Sequence, residues 1–136
     1  MNSRHTAFRM GGLAFVVLVL AGCSLLDPQG QLTLHDLVNV EEGVDVTTQA
    51  EDITDTACAT LIDCVEAYST AEANYYRFDS RDDAEAFGSS VEDGFVINYI
   101  VMDFAGKDAS VQEQLHAMQM LAGMWNDYEG GFPDRG

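Results

Sequence analysis

The chain has 136 residues, with 23 Asp and Glu against 6 Lys and Arg, a formal charge of −17 and a mean hydropathy of −0.04. So negative a field repels nucleic-acid phosphates and anionic lipid headgroups, which excludes nucleic-acid binding and attachment through a basic patch. Its length allows one hydrophobic core and not two.

The chain opens with Arg4, His5 and Arg9, followed by an apolar run over residues 11–20. A secretory leader needs about 7–15 apolar residues, a membrane-spanning helix about 20. Ser24 and Asp27-Pro28 close the run too early for a span. The block Leu20-Ala21-Gly22-Cys23 that ends it resembles the lipobox of bacterial lipoproteins. The resemblance implies that residues 1–22 are a signal peptide and that the Cys23 thiol receives a diacylglyceryl group, with palmitate-type acylation. A peptidase would cut before Cys23. The mature chain would then sit on the extracytoplasmic face of the cell membrane, in contact with lipid through Cys23. Two acyl chains suffice for stable anchoring where one is marginal. The residue after the cysteine is Ser24, and the family's sorting habit would not hold such a protein at an inner membrane. Without residues 1–22 the chain keeps four basic residues, Arg77, Arg81, Lys107 and Arg135, against the same 23 acidic ones, a formal charge of −19.

Residues 23–30 read as the lipidated cysteine and a short tether broken by Pro28 and Gly30. A single domain spans residues 31–125, and residues 126–136, with Gly130-Gly131 and Pro133, read as a flexible tail. Thr33, with Asp36 three residues on, suits the start of a short helix over 33–40. The alternation of Leu32 and Leu34 with polar residues also suits a first strand, and the sequence leaves that choice open. Thr47 or Thr48 can cap a second helix running to about Ala59, with Ala50, Ile53 and Ala57 on its apolar stripe. Residues 64–69 and 75–79 alternate, and the five residues between them suit a hairpin loop. Ser80 with Asp83 opens a helix to about Ser90 that buries Ala84, Phe87 and Val91. Residues 95–104 (FVINYIVMDF) read as one strand at the sheet centre, buried on both faces. Ser110 with Glu113 is a capping box, and Val111, Leu115, Met118, Ala122 and Trp125 follow at helical spacing, widened by Leu121 and Met124.

These elements predict an α+β fold, a small antiparallel sheet of three or four strands with helices on one face. Reading 32–38 as a strand would complete a ferredoxin-like order.

Cys58 and Cys64 form an even pair, which outside the cytoplasm is most simply a disulfide. Six residues of helix would part their Cα atoms by about 9 Å, beyond a disulfide's reach of about 7 Å. The helix must therefore end between them. Asp79, Asp82 and Asp83 crowd one helix start and are the candidate cation ligands, although a calcium loop's glycine and alternation are missing. His35 and His116 stand alone, and Asp103 and Asp108 flank a loop with Lys107, the only lysine. Tyr68, Tyr75, Tyr76 and Tyr99 could line a groove. No metalloprotease, nucleotide-binding or nucleophile-elbow motif occurs, so the sequence predicts neither an enzyme nor a cofactor. The expectation is a membrane-anchored accessory module of the cell envelope that meets a protein partner or the cell wall. The alternative is a lipoprotein that binds a small ligand or divalent cation.

Overall fold

The computed structural model describes residues 32–39, 47–59, 62–124 and 130–134. The leader, Cys23 and the tether lie outside the described residues. The order is α1 (Leu34–Val38), β1 (Glu51–Asp52), α2 (Thr54–Ala57), β2 (Glu66–Ser69), β3 (Asn74–Arg77), α3 (Arg81–Gly88), β4 (Gly94–Ile97), β5 (Ile100–Asp103) and α4 (Val111–Gly123). The fold is α+β, and its open antiparallel sheet runs β1-β2-β3-β5-β4. Five strands stand where three or four were expected. The segment at 34–38 is helical, so the ferredoxin-like order is not realised. The Thr33 side chain accepts from Asp36 N–H at 3.0 Å and fixes the start of α1.

The long run at 95–104 is not one strand. Asn98 adopts φ 51 and, with Tyr99, folds the run into the β4–β5 hairpin. Asparagine tolerates the left-handed region that a tight hairpin turn needs. One strand of ten residues would extend about 33 Å, far past its four-residue neighbours, whereas folding back pairs both halves.

The sheet is covered on both faces, not on one. The row Tyr68, Tyr75, Met102 and Phe95 lies across four strands and packs under α1 and α4. The adjacent row, Ala67, Tyr76, Val101 and Val96, points the other way, toward α2 and α3. Neighbouring apolar residues on each strand alternate in direction, so each face has its own apolar row and must be covered separately. The result is three layers, α/β/α.

The expected helix through 47–59 shrinks to the single turn α2. Gln49 takes φ 55, residues 51–52 pair with β2, and Ile53 N–H donates to Ala67 C=O at 3.0 Å. The Asp52 carboxylate takes the Thr54 N–H at 2.9 Å, a local bond that favours a turn over a helix through it. α3 starts as expected, with the Ser80 side chain accepting from Asp83 N–H, and buries Ala84. It ends at Gly88, so Val91 packs from the segment beyond the helix. α4 carries the expected capping box, but its buried stripe is turned. Gln114, Ala117, Met118, Leu121 and Ala122 face the core, while Val111 and Met124 are exposed. Trp125 lies outside the described residues. In the tail, the Phe132 ring lies 5.8 Å from that of Phe95.

Candidate functional site

Cys58 and Cys64 are bonded, with Cα atoms 4.8 Å apart. Their spacing demanded a helix end between them, and α2 stops at Ala57 with Cys58 as its C-cap. The bond ties the end of α2 to the approach to β2.

The other sequence candidates are dispersed. Asp79, Asp82 and Asp83 are exposed, and Asp83 gives its N–H to the Ser80 hydroxyl. Among the described residues, no three His, Cys, Asp or Glu side chains gather closely enough to hold a metal ion. His116 is exposed on α4, and Asp108 is exposed. His35 lies open on α1, its Nδ1 3.9 Å from Asp36. The tyrosines do not line one groove, because Tyr68 and Tyr75 belong to one face of the sheet and Tyr76 to the other. Tyr99 sits in the β4–β5 turn with the Arg81 guanidinium 5.5 Å from its ring centre.

Three polar groups brace the described chain, and their Glu66, Arg77, Glu72 and Asp52 were not among the candidates from the sequence. The Glu66 carboxylate accepts from Leu34 N–H and His35 N–H, each at 2.7 Å. Those amides open α1 and have no partner within the helix, so a carboxylate on β2 supplies a cap that Thr33 alone cannot. Opposite Glu66 on β3, Arg77 donates through Nε to Leu32 C=O at 2.9 Å. Strands β2 and β3 thus clamp the segment by which the domain joins its N-terminal part.

The second group lies at the β2–β3 loop. Glu72 is buried and accepts from the N–H and hydroxyl of Thr48. Lys107 Nζ donates to Ser69 Oγ at 2.9 Å and to Thr70 C=O at 2.7 Å. Burial pushes the Lys107 amine below its ordinary pKa, while the charges of Asp103 and Glu72 pull it back. The Asp103 carboxylate takes the Ala105 N–H at 3.0 Å. This set secures two loops; an amine donating to a backbone carbonyl is a brace, not a general base.

A third set forms at the β1 edge. Tyr68 has a buried ring and pairs in register with Asp52 of β1. Desolvation first, then the charges of Asp52 and Glu66, push the Tyr68 hydroxyl up. Hydrogen bonds from the Thr54 side chain and backbone hold the Asp52 carboxyl low. The open cleft beside it is lined by residues 52–56. The Asp52 carboxylate is engaged by the Thr54 N–H, which is the pattern of a braced edge.

What remains is a surface rather than a cleft. Among the described residues, four of the five large exposed apolar side chains, Val111, Met120, Met124 and Phe132, lie on α4, its C-cap or the tail beyond it. Between α4 and the tail runs a shallow groove walled by Val111, Leu115, Phe132 and Pro133, with Gln112 and Gln119 as polar lining and Asp134 at its rim. α4 carries one carboxylate, Glu113, engaged with the Ser110 N–H at 2.7 Å. In a chain this acidic, a helix of 13 residues with one carboxylate is a weakly charged surface with adaptable apolar side chains.

No protein-family model, curated protein or solved structure matches this chain.

Proposed function

We propose that this chain is a lipid-anchored protein of the bacterial cell envelope, whose domain acts outside the cytoplasm as an interaction or accessory module rather than as an enzyme. The observation that carries the reading is the sequence Leu20-Ala21-Gly22-Cys23 directly after a basic start and an apolar run of leader length. The Cys58–Cys64 disulfide supports it, since such bonds persist in oxidising compartments.

Expression in a bacterial host with intact-mass analysis of the envelope fraction tests the anchor. The expected product begins at Cys23 and carries the mass of a diacylglyceryl group, and Cys23→Ser leaves the membrane fraction. A product of unmodified mass, or a Cys23→Ser variant that still sediments with membranes, refutes it. In-cell crosslinking of the lipidated protein tests the module. A stoichiometric protein or cell-wall partner is expected. A partner-free protein whose melting temperature rises with a small ligand or divalent cation would refute the module in favour of a binding protein.

A further inference from the structure

The geometry points to a fixed orientation on the bilayer: the α1/α4 layer rests against the lipid headgroup surface, and the acidic α2/α3 layer faces away. This rests on the anchored reading above and adds to it the surface that the membrane covers.

The first argument is reach. The described domain begins at Leu32, which packs against the cluster under α1 and α4 and is held there by Arg77. The tether therefore leaves from that side of the sheet. From Cys23 to Leu32 the chain spans at most about 32 Å, whatever its conformation. Three layers of helix, sheet and helix are about 30 Å thick. Carrying the lipid past the far layer would consume the whole reach and leave none to pass beneath it.

The second argument is charge. α1 and α4 together hold two carboxylates, Asp36 and Glu113. The shorter pair α2 and α3 holds four, Asp55, Asp82, Asp83 and Glu85, with one cation, Arg81, all exposed, so its formal charge is −3 over fewer residues against −2 for α1 and α4. The β1 edge presents Glu51 and Asp52, also exposed. An anionic headgroup surface repels carboxylates within a Debye length, about 8 Å at physiological salt. Asp134, which lines the groove, adds one more carboxylate beside α4.

The third argument is contact. The exposed Val111 lies on one flank of α4 beside Phe132 of the tail, and the exposed Met120 and Met124 lie on its other flank and at its end. Such side chains lose water at an interface without needing a charged partner. The occupant assigned to this face is the bilayer surface.

The test uses the full lipidated protein in nanodiscs of phosphatidylcholine with a minority of phosphatidylglycerol. Met120→Cys and Asp82→Cys, both at exposed positions, each carry a fluorophore, and a quencher is placed on the headgroups. The Met120 label should be quenched several-fold more than the Asp82 label. Equal quenching, no quenching of either label, or stronger quenching at Asp82 overturns the orientation while leaving the anchor intact. Intermolecular crosslinking through Met120→Cys would assign the face to a second copy instead and also overturns it. A product without the lipid mass sinks the anchored reading, and the orientation with it, so the two failures are distinct.

Discussion

Glu66→Ala should loosen α1 and lower the stability of the whole domain. The wild-type carboxylate accepts two N–H groups, each at 2.7 Å, and both belong to the first turn of a five-residue helix. Hydrogen bonds to a charged acceptor contribute about 1.5–3 kcal/mol each. Glu66 is only part-buried, so water can replace some of the lost contact, and the expected cost falls to about 2 kcal/mol in all. Isolated helices this short do not persist, so α1 depends on this clamp and on the burial of Leu34 and Leu37. Glu66→Gln keeps one carbonyl acceptor and should cost about 1 kcal/mol. Urea denaturation gives the global change, and amide hydrogen exchange gives the local one. The Leu34 and His35 amides should lose protection more than those of β3 and β5. A Glu66→Ala variant within about 0.5 kcal/mol of wild type, the range of ordinary surface substitutions, would refute the clamp. So would unchanged exchange at those two amides.

Gly88→Ala sets two rules against each other. Helix propensity favours alanine by about 1 kcal/mol, but its Cβ would lie 2.1 Å from Val96 Cγ2. Valine is stiff at χ1 and overpacking costs about 1–3 kcal/mol, so calorimetry should show a net loss; a gain would mean Val96 moves aside freely. Removing the Cys58–Cys64 bond by a double serine substitution reopens a short loop and should cost about 2 kcal/mol. For a domain of this size the melting temperature should drop by roughly 8–16 °C, and an unchanged value would refute the contribution. Alkaline titration should show delayed tyrosine ionisation. Burial raises the hydroxyl pKa of Tyr75 most, with Glu72 adding to it, and burial also raises Tyr68 and Tyr76. A pKa raised in the folded state gives stability that is complete below the ordinary value, near pH 10, and lost as pH rises through the folded values. Lys107 has the opposite sign, because desolvation lowers its amine pKa and its contribution to stability grows as pH rises through the folded value. Absorbance at the phenolate band should therefore rise in step with unfolding, and early, independent ionisation of all the tyrosines would refute the burial argument.

The sequence by itself determined what is local. Ser80 and Ser110 mark helix starts because each cap bond spans three residues, whereas the segment after Thr33 suited either a helix or a strand. The β2–β3 hairpin was readable from two alternating runs, and the Cys58–Cys64 spacing required a helix end that α2 provides. The tertiary structure decided what depends on distant partners. Residues 95–104 look the same as one buried strand or as two halves of a hairpin. Only the short strands beside them select the turn at Asn98. Alternating apolar rows show that both faces of a strand are apolar, but not which helices will cover them. Glu66 and Arg77 read as ordinary solvated charges, because their backbone partners lie 31 to 45 residues away along the chain. A capping carboxylate within one turn leaves a spacing to find; one supplied from across the fold leaves none, and becomes visible only once the sheet has brought it there.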